Sequence, residues 1–260
     1  MNQNSSKSNA VEKVLKILMA FTPHNQAMGT IEISRILGFH RTTVSRILQT
    51  LKREGFLQQD PRTKQFMLGS SVVSLGRAVN QSLKSNLIPI AKPYIDSLRD
   101  ALESTIVLEV FSGNVTLTAY VAEGPPPLRL IGNVGDIVPN HAAASAKVIL
   151  AFSSQETKTR LIKEAEMSSF TPNTITDPED FSNHLDNIKE QGFSVDNEET
   201  GIGVRAVGAP IFSHEGIPVA AIVVTGPTKK ISGHINSREV RLLVEAASKI
   251  SKALHSPVIE

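Results

Sequence analysis

Apolar residues recur with a helical period through the first fifty positions. Ala10 to Phe21 carries Val11, Val14, Leu15 and Leu18 at spacings of three and four, which predicts a first helix with that face turned inward. Ile33, Ile36 and Leu37 repeat at i, i+3, i+4 and stop at Gly38, and beyond it Val44, Ile47, Leu48 and Leu51 repeat at i, i+3, i+4, i+7. The pattern predicts two short helices across a tight glycine turn, a helix-turn-helix. After Glu54-Gly55 the period shortens. Phe56 to Leu68 reads as two strand-like runs around an Asp60-Pro61 turn, a wing following the second helix.

The polar positions of that second helix carry the chemistry. Arg41, Thr42, Thr43, Ser45, Arg46 and Gln49 fall outside its apolar stripe, and none is acidic. Short hydroxyls and long cations on one face are what reaching phosphates and base edges in a major groove requires. Arg62 and Lys64 at the wing tip are placed for the phosphate backbone. A merely solvated face has the same periodicity, so the charge partition matters. Residues 1–69 hold ten Lys/Arg against four Asp/Glu, whereas the other 191 hold 17 against 21. A basic head on an acidic body suits a protein that meets a polyanion at one end.

Residues 70–87 read as a connecting helix. Val72, Leu75, Val79, Leu83 and Leu87 form a narrow apolar stripe, suited equally to a second copy of the same helix or to its own domain. A further helix follows from about Pro93 to Glu103. From Thr105 the period becomes two: Thr105–Phe111 and Val115–Val121 read as strands around a Gly113-Asn114 turn, with another at Leu128–Ile131. An Ala-rich helix spans about Ala142 to Phe152. The next begins at Thr176/Asp177 with Pro178 in its first position and stops at Gly192. Strands are expected near Phe193–Asp196, Arg205–Phe212 and Ile217–Thr225. The last helix opens with Asn236 three residues before Glu239, the spacing of a capping box, and buries Val240, Leu243, Val244, Ala247, Ile250 and Leu254. The expected fold class is α+β, with an antiparallel sheet and flanking helices in the body.

Composition excludes more than it identifies. The 260 residues contain no cysteine, which removes disulfides, thiolate metal sites and cysteine nucleophiles. No leader-like apolar segment opens the chain, and the run Ile217–Val224 is too short to span a bilayer, so a cytoplasmic protein is expected. Aromatic residues are 5% and tryptophan is absent, against a base-stacking binder of single strands. Asp196, Glu198 and Glu199, with His184 and His214, lack a metal-site spacing and read as solvated acids after a strand. Gly201, Gly203 and Gly208 resemble a dinucleotide loop, but no helix follows. His141 precedes a helix that it would cap, or lines a cavity. No serine sits in a nucleophile elbow. No metal, cofactor or catalytic residue is expected.

Six segments in order are similar to the isocitrate lyase regulator (IclR) family of bacterial transcription factors. They are Gly38–Leu48, Phe66–Gly69, Pro139–Ala151, Asp196–Glu199, Gly208–Ile211 and Ala220–Pro227. The resemblance implies a winged helix-turn-helix over 1–69, a linker helix over 70–87, and a GAF-like effector and oligomerisation domain over 88–260. It also implies dimers or dimers of dimers and small organic acids or aromatic compounds as effectors. Two positions depart from the family: Ala146 where glycine is usual, and Ala206 where many members place a cysteine in the cavity. The added methyl and the lost thiol argue against a glyoxylate- or pyruvate-type effector.

The expected effector site lies between the start of the Ala142 helix and the last strands, because helix N-termini favour carboxylates. Asn133, Ser145, Asp196 and Thr225 would orient the ligand, with Leu130 and Val223 as walls and Ala146 and Ala206 bordering it. A homodimer or tetramer would set its recognition helices in successive major grooves of a pseudo-palindromic double-stranded operator. An enzyme with a DNA-targeting head and an effector-independent architectural DNA binder are the alternatives.

Overall fold

The computed structural model describes residues 9–22, 25–76, 87–126 and 133–255, in two compact units divided between Ser82 and Leu83. In the first unit, α1 (Ala10–Met19), α2 (Thr30–Leu37) and α3 (Arg41–Arg53) enclose a small core with a hairpin of β1 (Leu57–Gln59) and β2 (Phe66–Leu68). Gly38 closes α2 in the left-handed region at φ 67°, where a side chain would be strained, and so permits the abrupt turn into α3. Val44, Ile47, Leu48 and Leu51 are buried as their period requires.

The face of α1 is rotated from its expected direction. Ile17 and Phe21 are buried, Val14 and Leu18 pack at the margin, and Val11 and Leu15 are exposed. The apolar positions of this helix cover more than one face, and Ile17 and Phe21 take the interior. Ile36 is exposed as well. Residues 70–76 are helical (α4), with Leu75 exposed rather than buried; Val79 and Leu83 of the expected linker stripe lie outside the described residues.

The second unit is built on six antiparallel strands in the order β5-β4-β3-β8-β7-β6. These are β3 (Thr105–Phe111), β4 (Thr116–Ala122), β5 (Ile137–Val138), β6 (Ser194–Asn197), β7 (Val204–Phe212) and β8 (Pro218–Pro227). Alternation along the strands divides the sheet. Ile106, Leu108, Val207, Ile222 and Val224 meet α5 (Leu87–Leu102) and α9 (Arg238–His255) in the main core. The opposite face receives α6 (Ala144–Phe152), behind which α7 (Gln155–Glu164) and α8 (Pro178–Gln191) pack through Leu161, Phe181, Leu185 and Ile188. The α+β class and the antiparallel sheet are as expected. The expected strand at Leu128–Ile131 lies outside the described residues.

Helix α8 follows its sequence closely: Asp177 Oδ1 accepts from the N–H groups of Glu179 and Asp180, Pro178 follows, and Gly192 ends it at φ 83°. Helix α7 was not foreseen; Ser154 caps it by accepting from Thr157 N. The expected capping box of α9 is corrected. Ser237, not Asn236, accepts from Val240 N, and Glu239 takes the N–H groups of Ser232 and Gly233 in the preceding loop. Val244, expected inside, is 38% exposed.

Candidate functional site

The first candidate surface is α3. His40 precedes it and its Nδ1 lies 2.8 Å from Thr42 Oγ1, while Ser34 Oγ donates to Phe39 O across the turn at 2.5 Å. These bonds order the entry to the helix. Arg41, Thr42, Ser45, Arg46, Gln49, Thr50 and Arg53 line one open groove along α3. Thr43, expected with them, does not line this groove and is half-buried at its side. Thr50 and Arg53 extend the surface beyond the expected set. Their signal was present in the sequence, one turn past Arg46 and Gln49, but lay beyond the last polar position considered. No acidic residue occupies the first turn of α3, and Lys52 and Arg53 close its last.

The wing is held by its own turn. Asp60 Oδ1 accepts from the backbone of Arg62 at 2.7 Å and of Thr63 at 2.8 Å, which keeps the carboxyl below the usual carboxylate range. Lys64 adopts φ 60°, turning the chain back so that its N–H reaches Asp60 O at 2.9 Å. Arg62 and Lys64 are left exposed at the tip. Lys52 Nζ donates to Gln59 Oε1 at 3.0 Å, tying α3 to the hairpin. The result is a cationic surface on a rigid scaffold, fit for a duplex backbone and base edges.

The second candidate surface is the α6 side of the sheet. Gly208 is the reason α6 can lie there: a Cβ at this position would stand 3.0 Å from the carbonyl of Ala144 and 2.8 Å from Ser194 Oγ. Ser194 Oγ donates to Ala144 O at 2.5 Å and fastens the first turn onto the strands. Ala143 before α6 gives no side-chain cap, so the first-turn N–H groups are available to an acceptor. Beside that turn, Val107, Ala144, Ala206 and Val223 form a small apolar cluster with Val121 packed against it. Val107, Ala206 and Val223 keep 6–7% exposure, whereas Ile106, Leu108, Val207, Ile222 and Val224 on the other face keep none.

Val223 and Ala206 are therefore brought together, with Thr225 in register with Ala206 and Thr105 at the cluster's edge. Ser145 and Ala146 are fully buried in the first turn of α6. Asn133 is exposed and bonded to Asp136, away from any described wall. Leu130 lies outside the described residues. Asp196 is buried on this face, but its carboxylate accepts from Glu199 N, Thr200 N and Thr200 Oγ1, holding the loop after β6.

The acids after β6 are not solvated as expected. Asp196 and Glu199 are buried, and Glu199 Oε1 pairs with Lys147 Nζ at 2.5 Å, the lysine also donating to Val195 O at 2.7 Å. Burial pushes the lysine down and the glutamate up, each opposed by its partner's charge. The sequence hid this because Lys147 interrupts an apolar helix 52 residues from its acid. His141 neither caps α6 nor stands free; it is buried, bonds Ser168 O through Nε2 at 2.9 Å and stacks on Phe170. Glu109, not considered from the sequence, is buried in β3 beside the apolar cluster. Among the described residues no group of three or more His, Asp or Glu could hold a metal, and no helix is long and apolar enough to cross a membrane.

The chain is similar to known proteins along nearly its whole length. The chain is 27% identical to the HTH-type transcriptional regulator XynR of Escherichia coli over 95% of its own length and 98% of that protein. A crystal structure of an IclR transcriptional regulator from Alicyclobacillus acidocaldarius superposes with TM-score 0.74 at 27% identity, covering 94% of this chain and 98% of that one. An IclR homologue from Microbacterium hydrocarbonoxydans, solved in complex with 4-hydroxybenzoate, shares the fold at TM-score 0.73 and 21% identity, covering 95% of this chain and 99% of that one. The family model for the IclR helix-turn-helix domain matches residues 10–61, and that for the C-terminal domain of bacterial IclR regulators matches residues 80–252. With matches to both of its family models, the chain belongs to the IclR family of bacterial transcriptional regulators.

Proposed function

We propose that the chain works in the cytoplasm as a homo-oligomer on a pseudo-palindromic double-stranded operator, and that a small organic acid or aromatic effector alters that binding. The observation that carries the reading is the acid-free groove of α3 beside a wing whose tip presents Arg62 and Lys64. Arg41, Thr42, Ser45 and Arg46 make base or phosphate contacts, Thr43 flanks them, and the wing cations hold backbone. The head comprises residues 1–69, the linker helix 70–87, and the effector domain the remainder.

The effector occupies the face formed by Val107, Val121, Ala206 and Val223, with an acidic group at the uncapped first turn of α6. Ser145 and Thr225 lie along this face, with Ala146 behind the turn. The ligand bound by the Microbacterium homologue is an aromatic acid, chemistry that an apolar face beside an uncapped helix turn would suit. Exposed Val11, Leu15 and Met19 on α1 form a stripe suited to a second copy. Ligand binding changes DNA affinity only through unequal affinity for two arrangements of the oligomer.

Fluorescence anisotropy of the full chain on its own upstream DNA, at two salt concentrations and with a panel of acids and aromatics, tests the reading. The expected result is tight, salt-sensitive binding that at least one compound alters by five-fold or more. Specific binding that no compound alters supports the architectural alternative. Failure to bind that fragment and to enrich any site from random DNA overturns the proposal.

A further inference from the structure

We infer that Glu109 and Ser145 form a hydroxyl-reading corner of the ligand face, so that the effector is a hydroxylated acid rather than a dicarboxylate or an unsubstituted acid. The inference rests on the effector occupying this face and narrows its chemical class.

Glu109 lies on the same side of β3 as Val107, in register with Thr118 of β4 and Ala221 of β8, two residue pairs along from Val107 and Val223. It is 8% exposed, and Thr118 Oγ1 donates to its Oε1 at 3.3 Å. No charged group among the described residues acts on it; Lys147, two residues beyond Ser145, is committed to Glu199. Burial therefore pushes the Glu109 carboxyl up, with the nearby hydroxyls of Ser145 and Thr118 opposing the rise.

Ser145 is 1% exposed, and its Oγ closes no hydrogen bond of good geometry. A buried hydroxyl short of a well-formed bond costs free energy, as does a buried carboxyl with only neutral hydroxyls beside it. Neither residue supports the main core, which lies on the other face of the strands. Together they offer an acceptor, Glu109, beside a group that can donate, Ser145 Oγ. A ligand hydroxyl satisfies both at once, donating to the carboxyl and accepting from the serine. A second ligand carboxylate would find no cation to pair with here, Lys147 being committed to Glu199, and an unsubstituted ring or chain would add no partner for either group. The acid end of the same ligand faces the first-turn N–H groups of α6, to which Ser145 belongs, so the two functions of a small hydroxy acid find partners around one side chain.

Isothermal titration calorimetry on the full chain tests this with two matched sets: benzoate, 4-hydroxybenzoate and terephthalate; propionate, lactate and malonate. The expected result is that in at least one set the hydroxylated acid binds ten-fold or more tightly than its parent, with the dicarboxylate weakest. Glu109→Ala should collapse that ratio to near one, and Glu109→Gln, which keeps an acceptor oxygen, should recover part of it. Thermal melts of both variants establish that they fold. Equal binding of hydroxylated and parent acids in both sets, or a preference that survives Glu109→Ala, overturns the inference and leaves the site standing. The Ser145→Trp variant fills the face: binding unchanged by it, or absent for all six probes in the unsubstituted chain, overturns the site and the inference together.

Discussion

Single side chains in the head divide by what they touch. Arg46 stands in mid-groove on α3 with its guanidinium exposed, while Arg62 and Lys64 stand at the wing tip. If Arg46 reads bases as proposed, Arg46→Ala should cost about 1–3 kcal/mol on the operator and little on random DNA. Arg62→Ala should weaken both alike and reduce the slope of log affinity against log salt by about 1. Anisotropy titrations at several salt concentrations distinguish the two outcomes. In the body, Lys147 and Glu199 depend on each other. Lys147→Met should destabilise by about 3–5 kcal/mol because it leaves a carboxylate buried alone, and adding Glu199→Leu should recover most of that. Urea denaturation of the single and double variants measures both terms.

Among elements, the legible ones were those whose cause is local. Helix α8 declared itself through Asp177, Pro178 and Gly192, and α3 through Val44, Ile47, Leu48 and Leu51, because caps and a one-sided apolar period act within a few residues. The direction of α1 was less legible, since its stripe is broad and the choice between Leu15 and Ile17 is made by the rest of the head core, distant in sequence. On the proposed ligand face, the chemistry of helix N-termini pointed to α6 and the resemblance to Ala206, but Glu109 was silent because a glutamate among valines in a strand has the same alternation whichever side it faces. Asp196 drew attention for its charge, and the fold commits that charge to Thr200 and the backbone.

Helix α8 also carries a pH response. Burial, with Lys147 nearby, lowers the His184 pKa from 6.5 to about 4. Below pH 6.5 the unfolded chain takes up a proton that the folded chain refuses until about pH 4, so this group erodes stability as the medium is acidified through that window, by roughly 2 kcal/mol in all. His184→Gln should flatten the fall in Tm between pH 6.5 and 4, a comparison calorimetry makes directly.

For the molecule as a whole, the proposed assembly makes a prediction that neither unit makes alone. If the exposed stripe of α1 pairs copies, Leu15→Glu should lower the oligomeric state in sedimentation and reduce operator affinity more than random-DNA affinity, since two heads would no longer be held in register. The division of the sheet has another consequence. Side chains alternate along β3, β7 and β8, so one face carries the packing with α5 and α9 while its neighbours one residue away form the proposed ligand face. A substitution such as Val107→Thr or Ala206→Cys should alter what the proposed face accepts while leaving the residues of the main core in place. If that face binds the effector, recognition can drift by single substitutions while the scaffold stays fixed.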